Sequence, residues 1–382
     1  MSRTALVANV ERMIEFYNNQ QQTHAAAVKV GSTTTERAKI ASQLIDTNPR
    51  KIKWTRGLIN SLARGTRGAF DDACIGTAIY RPFAKAWLYY DPMLNEYFKE
   101  KLYPSAQHKN LAICVGGVVE RKGFSVLMTQ GLTDLHMLDT GQFFPLRWYE
   151  KAGKASPQAS LLGDEVGSDQ DGYVARDGIT DVALDAFRKH YTDPSITKDS
   201  LFYYIYGVLH SEEYRELYTS DLKKLLPRIP MASDFRAFEE AGRKPAALHI
   251  GYETVEPWPV VEEAKPKGDL NDDAYYRVEK MRFASAGGRE KDKSVIVYNS
   301  RITLREIPLE AYDYVVNSKS AIDWIVEQYK VDKDKDSGIP EDPNAWCREH
   351  NDPTYILTLL KRVIRVSVET MGIVRSLPPL QG

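Results

Sequence analysis

The stretch Leu201–Pro230, LFYYIYGVLHSEEYRELYTSDLKKLLPRIP, limits the possible folds more than any other part of the chain. Leu201, Phe202, Ile205, Val208 and Leu209 recur at helical spacing, so one face of a helix is apolar. Thr197 stands upstream as an N-cap. Ser211 followed by Glu212 and Glu213 marks a second helix start, because acidic side chains suit the positive end of the helix dipole. Pro227 and Pro230 then stop that helix. Phe202, Tyr203, Tyr204, Tyr206, Tyr214 and Tyr218 give the pair a large apolar area to bury. Long flanking segments must cover it. No residue in the stretch has the spacing of a catalytic group, and an apolar helical stripe ordinarily faces a core.

At 382 residues the chain has room for two or three domains. It is 43% hydrophobic and 27% charged, with a net charge of −1, so any nucleic-acid surface must be a local patch. Cys74, Cys114 and Cys347 lie far apart with no CxxC, which predicts neither a disulfide framework nor a thiolate zinc site. That usage fits a reducing cytoplasm. The N-terminus lacks the apolar core of a signal peptide. The longest nearly apolar run, Leu111 to Val119, is too short to span a bilayer.

Taken in order, the pattern predicts an α+β fold. A short-stranded β-rich unit is flanked by helical segments, with a second small sheet and C-terminal helices. Residues 1–70 form a helical connector carrying a basic segment. Its first helix is marked by Leu6, Val10, Met13, Ile14 and Tyr17, Gln20 to Thr35 is a polar connector, and Glu36 to Ile45 is helical again. Residues 71–150 form the β-rich unit. Ile75 to Tyr90 reads as strand, turn, strand, and Leu111 to Val119, Ser125 to Thr129 and Phe143 to Tyr149 are further strands. Residues 151–178, rich in Gly, Ser and Asp, read as a flexible insertion. Residues 179–255 form the helical core, interrupted near Gly242 and Pro245. Residues 256–382 form an α+β C-terminal unit. It opens with a Pro- and Lys-rich loop, Glu256 to Asn271, and continues with strands at Arg277–Phe283 and Ser294–Tyr298 around the loop Ala284–Asp292. Ser320 with Asp323 caps a helix, Val331 to Asp336 is a solvated charge run, Tyr355 to Val374 is the last helix, and Ser376 to Pro379 is a tail.

The strongest charge anomaly lies between Thr47 and Phe70. Arg50, Lys51, Lys53, Arg56, Arg64 and Arg67 stand there with no acid, and Trp54 lies among them. Such a run attracts polyanions, and Gly65 and Gly68 would let the backbone approach phosphates closely. The competing reading is a solvated face whose acidic partners come from elsewhere in the fold. Arg81 and Lys85, among Tyr80, Phe83 and Trp87, mix cations with rings, which suits a nucleic-acid surface or a proline-guarded sheet edge. Arg121 and Lys122 fall on a predicted loop tip.

Catalytic patterns are missing from the sequence. There is no strand-linked GxGxxG, no Walker A loop, no HExxH, no EF-hand loop and no GxSxG. The (N/D)PP(Y/F) tetrapeptide of an amino-methyltransferase is absent too. Asn48-Pro49-Arg50 lacks its second proline and its stacking aromatic. Glu263-Ala264-Lys265 is half of a metal-nuclease ExK pattern in a segment that reads as a poor strand. The seven histidines show no metal-ligand spacing, and His210 at the end of an apolar helix reads as a core or capping residue.

Tyr204–Pro230 resembles a segment in the C-terminal region of type ISP restriction–modification enzymes. So do WTRGLINSLARG (Trp54–Gly65), YRPFAKAWLYYD (Tyr80–Asp91), GFSVLMT and LDTGQFFPLRWYE within Gly123–Glu150, KMRF and KDKSVIVYN within Lys280–Asn299, and AYDYVVNSKSAIDWIVEQY (Ala311–Tyr329). The resemblance spans nearly the whole chain in order. In that family one polypeptide carries a nuclease, a helicase-like ATPase, a coupler, an adenine-N6 methyltransferase and a C-terminal target-recognition domain, and this chain looks like the last part alone. The resemblance implies recognition of double-stranded DNA, with methyl transfer and cleavage done by other domains or chains. It implies no cofactor in this chain, since S-adenosylmethionine, ATP and Mg belong to the missing domains. Lys51, Lys53, Arg56, Arg64 and Arg67 would then hold phosphates, with Trp54 among the DNA-binding residues, and Arg81, Lys85, Arg121 and Lys122 would sit on or beside groove-facing loops. The alternatives are a scaffold that docks a methyltransferase or helicase partner without reading bases, and an enzyme with an unrecognised site.

Overall fold

The computed structural model describes residues 1–116, 123–139, 141–152 and 172–380. Its fold is α+β. Three helices open the chain: α1 (Arg3–Ala27), α2 (Thr34–Leu44) and α3 (Arg56–Ala63). α1 runs ten residues past Tyr17, through much of the stretch expected to be a polar connector. His24, buried against α2 and bonded to the Arg37 carbonyl at 2.8 Å, keeps that polar segment docked and helical. α2 begins with a capping box between Thr33 and Glu36.

β1 (Ile75–Arg81) and β2 (Ala84–Tyr89) form a hairpin across Pro82-Phe83. Phe83 takes a positive φ of 59°, yet it is buried, edge-on to Tyr252 at 5.4 Å. The tip is therefore plugged into the C-terminal core, and hydrophobic burial of the ring offsets the backbone cost. β3 (Leu111–Val115), β4 (Val126–Gln130) and β5 (Gln142–Pro145) form a sheet in the order β4-β3-β5. The single strand expected over Phe143 to Tyr149 is two, because the chain changes sheets at Leu146. β6 (Arg147–Lys151) pairs instead with β7 (Tyr173–Asp177), a strand inside the segment read as an insertion.

The helical core contains α4 (Asp181–Tyr191), α5 (Lys198–His210), α6 (Glu212–Leu217), α7 (Thr219–Leu222) and α8 (Phe235–Ile250). The caps are those the sequence predicts, with Thr197 accepting from the Ser200 N–H and Ser211 from the Tyr214 N–H. The tyrosines bury their rings and use their hydroxyls on one loop. Tyr204 donates to the Pro230 carbonyl at 2.8 Å and accepts from the Ala232 N–H at 2.7 Å. Tyr214 donates to Arg228 and Tyr191 to Ala232. α8 passes unbroken through Gly242 and Pro245, contrary to the sequence reading. The reason is tertiary: α5 and α8 cross in backbone contact. A Cβ at Gly207 would lie 2.1 Å from the Phe238 carbonyl oxygen, and one at Gly242 would lie 1.8 Å from that of Tyr203. The glycines are close-approach residues, not breakers.

The C-terminal part holds β8 (Val261–Ala264), α9 (Asp272–Tyr276), β9 (Arg282–Gly287), β10 (Glu290–Val297) and β11 (Ile302–Arg305), with sheet order β8-β11-β10-β9. β8 lies in the stretch expected to be a loop. All four of its residues are exposed, as suits an edge strand guarded by charge. β9 and β10 extend into the expected Ala284–Asp292 loop and leave only a tight turn at Gly288-Arg289. The ribbon β12 (Val315–Val316) and β13 (Lys319–Ser320) leads into α10 (Ala321–Gln328), capped by Ser320. β14 (Asp332–Lys333), in the charged run, pairs with β15 (Pro340–Glu341) just beyond it. α11 (Asn344–Glu349) and α12 (Tyr355–Arg375) follow. The expected tail is anchored instead: Leu380 is buried, and its N–H bonds Glu213 at 2.6 Å.

Two cores meet at the sheet of β3 and β4. Ile113, Val115, Val126 and Met128 face α5 and α8, while Cys114 and Leu127 face the C-terminal core. Strand alternation thus gives each face its own helices. One chain of hydrogen bonds crosses the junction. The Met128 N–H donates to the Tyr206 hydroxyl at 2.8 Å, so the phenol proton goes to His249 Nδ1 at 2.6 Å. His249 therefore carries its proton on Nε2 and meets Thr370 Oγ1 of α12 at 3.0 Å. His210 Nδ1 lies 2.8 Å from the Tyr206 carbonyl and must donate to it. Burial, reinforced by the nearby Arg215 charge, pushes His210 down to about 3. Burial, and then His210, hold His249 well below the usual histidine range. No helix among the described residues is long and apolar enough to cross a membrane.

Two outcomes follow from this packing. Gly207→Ala should lower stability by about 3 kcal/mol, since its Cβ meets backbone that cannot step aside. Gly372→Ala, in α12 with nothing within 4 Å of the new Cβ, should instead be neutral or stabilising by up to about 1 kcal/mol. Denaturant midpoints of the two variants check this. Both buried histidines stay neutral in the folded chain, whereas the unfolded chain protonates them below about pH 6.5. Stability is then fully held above about pH 7 and falls as pH drops through 6.5, by about 3 kcal/mol between pH 7.5 and 5.5 for the pair. A denaturation series over that range should show the fall, and a flat series would contradict the neutral assignment.

Candidate nucleic-acid interface

The basic segment folds around α3, whose apolar residues Leu58, Leu62 and Ala63 are buried while its cations point outward. Thr55 caps the helix by accepting from the Leu58 N–H at 3.2 Å. Gly65, with φ of 80°, ends it in a Schellman motif: its N–H bonds Leu62 and the Thr66 N–H bonds Ser61, both at 3.0 Å. The next turn is pinned to α1. Asn18 and Gly68 exchange two hydrogen bonds of 2.9 Å, and Tyr17 donates to the Thr66 carbonyl at 3.0 Å. The two glycines thus serve the fold: Gly65 terminates a helix, and Gly68 fits closely under Met93 and Ile14. Gly65 is also exposed, with only Gln21 Nε2 within 4 Å of where a Cβ would stand, whereas Gly68 is half-buried.

Lys51, Lys53, Arg56, Arg64 and Arg67 are all exposed. Lys51 pairs with Asp46 at 2.7 Å. Arg50, Lys53, Arg56, Arg64 and Arg67 make no salt bridge among the described residues, so most of the acidic partners of a solvated face are missing. The cations fall into two groups. Arg50, Lys51 and Lys53 border a groove of about 630 Å³ together with Arg12 of α1. Arg64 and Arg67 lie at the far end of α3, roughly 12 Å along its axis from Arg56. Arg67 shares a second groove with Glu11 and Glu15, which offset part of its charge. Arg12 was not visible as a member, because it joins the group only when α1 folds against the segment.

Trp54 is held within the helical unit. Its indole N–H donates to the Asp46 carbonyl at 2.9 Å, and its ring tilts against Tyr17 at 6.0 Å. Arg81 bonds Asp134 at 3.0 Å and covers the Tyr80 ring at 4.0 Å. Lys85 pairs with Glu253 and lies over Tyr252. Both flank the hairpin tip that Phe83 anchors in the core, so neither sits on a free loop, and both charges are matched internally. Arg121 and Lys122 lie outside the described residues. Glu263-Ala264-Lys265 does sit at a strand, but Glu263 pairs with Arg305 at 2.7 Å. No group of three or more metal-ligating side chains occurs among the described residues.

The profile of the Type ISP C-terminal specificity domain family matches residues 1–359. Three solved structures share the fold. A nuclease-deletion mutant of the Type ISP restriction-modification enzyme LlaGI, in complex with a DNA substrate mimic, is 33% identical with a TM-score of 0.79, over 99% of this chain and 31% of that one. The ATP-dependent Type ISP enzyme LlaBIII bound to DNA is 29% identical with a TM-score of 0.79, over 99% and 22%. The DrdV–DNA complex is 28% identical with a TM-score of 0.78, over 98% and 34%. The chain therefore spans about a third or less of the length of these proteins. No curated protein matches it. With the matched profile covering almost the whole chain, and the sequence motifs in the same order along it, this protein belongs to the Type ISP C-terminal specificity domain family.

Proposed function

We propose that the chain is a DNA target-recognition module of a restriction–modification system. In this reading it positions double-stranded DNA for adenine-N6 methylation and cleavage by other domains or chains. The observation that carries the reading is the set of exposed cations around α3, most of them without an internal carboxylate, on a fold whose relatives have been solved on DNA. Arg50, Lys53, Arg56, Arg64 and Arg67, with Arg12 beside them, hold phosphates and fix register. None of them makes a salt bridge among the described residues; Glu11 and Glu15 stand near Arg67, and Asp334 feels the charge of Lys53, but no direct ion pair there has to break for a polyanion to engage. Arg81 and Lys85 differ. Recruiting either to DNA requires giving up Asp134 or Glu253, so they act as secondary contacts at most. The sequence offers Arg81 and Arg121 for base reading, since a guanidinium can grip guanine with two hydrogen bonds; Arg81 would first have to leave Asp134, and Arg121 lies outside the described residues. The methyl donor, ATP and Mg serve the other domains in this scheme.

Counterion release gives the test. With about six phosphates neutralised, log K for a duplex should fall with log salt at a slope near −5. Arg56→Ala combined with Arg64→Ala should weaken binding similarly on every sequence and make that slope shallower by about 1.8. Equal affinity of the double variant would clear α3 of the role, and a wild-type slope near zero would remove the DNA reading itself.

A further inference from the structure

We propose that the outward face of the C-terminal sheet is a second phosphate-binding surface for duplex DNA, built from residues outside the α3 segment. The proposal rests on the DNA reading above and extends it to residues that the basic segment does not include.

The sheet's register builds this face. Arg282 pairs with Val297, Val297 with Thr303, and Thr303 with Glu263, so these four side chains form one row across four strands. The row is roughly 14 Å wide at the usual strand spacing. Lys265 and Arg301 lie two residues beyond Glu263 and Thr303 on the same face, joined by the Lys265 N–H to the Arg301 carbonyl at 2.9 Å. Lys280 stands two residues before Arg282. All of them line one groove of about 980 Å³.

The charge of this groove is not balanced from within. Its two acids are already matched, Glu263 by Arg305 at 2.7 Å and Glu279 by Arg277 at 2.6 Å. Lys265 and Arg301 bond only the neutral carbonyls of Ser300 and Pro266. Lys280 and Arg282 are exposed and have no salt bridge among the described residues. Four cations are thus left over. Asn299, Ser300 and Thr303 add neutral polar groups.

This chemistry fits a phosphate backbone better than a protein. Four unmatched cations stand in the groove beside Asn299, Ser300 and Thr303, and a polyanion satisfies all four where an apolar partner face would bury them unpaired. Duplex DNA carries one charge per about 1.7 Å of its axis, so a face of this width meets several phosphates at once. Phosphate contacts carry no base information, so the face would hold the duplex rather than read it.

The test uses the full chain and duplexes of two unrelated sequences. Lys280→Gln with Arg282→Gln should make the salt slope shallower by about 1.8, equally on both sequences. Lys280→Arg with Arg282→Lys keeps both charges and should keep the wild-type slope, which separates a charge effect from misfolding. An unchanged slope in the glutamine variant, alongside a weakened Arg56/Arg64 variant, overturns the second surface and leaves the DNA reading standing. A wild-type chain without salt-dependent binding overturns both.

Discussion

The backbone contact between α5 and α8 at Gly207 and Gly242 is the constraint on which the rest of the structure depends. Side chains larger than hydrogen at these positions would force the helices apart by ångströms. That spacing sets where Tyr206 meets His249. Through those two residues it sets how β4 and α12 join the same junction. The sheet of β3 and β4 can then serve two cores at once, one on each face. The network is buried and holds its histidines neutral, so it rigidifies the junction without offering a titrating group near physiological pH.

Much of this was legible in the sequence, and what was not has local causes. α5 announced itself because its caps and apolar spacing agree with its tertiary role. α8 did not, because Gly242 and Pro245 carry local breaker signals that packing overrides. β8 was hidden by exposure: an edge strand with four solvent-facing residues has no hydrophobic alternation to detect. The anchored end was hidden by brevity, since only a few residues carry it: Leu377 and Leu380 pack on the helical core, and Pro379 and Leu380 bond Ser233 and Glu213. Helix and strand types in the long periodic segments, and the α+β class, came through intact.

The candidate interface follows the same rule. The run from Arg50 to Arg67 was visible because its charges are neighbours in sequence. The neutralisation of Arg81 and Lys85 was not, because Asp134 lies 53 residues and Glu253 168 residues away. Arg12 and the sheet cations Lys265, Lys280, Arg282 and Arg301 were invisible as groups for the same reason. Only helix packing and strand register bring them together. The charge that matters is therefore what remains after internal pairing, and on the proposed reading this remainder forms the contact surface.

The account separates a buried aromatic platform from exposed basic surfaces. Hydrogen exchange on the full chain, with and without duplex DNA, tests that separation most directly. The account predicts slowed exchange in residues 50–67 on adding duplex, with α5 and α8 unchanged because they are already buried and lie away from the contact. Slowed exchange confined to the α6–α8 segment, with residues 50–67 unaffected, would contradict it.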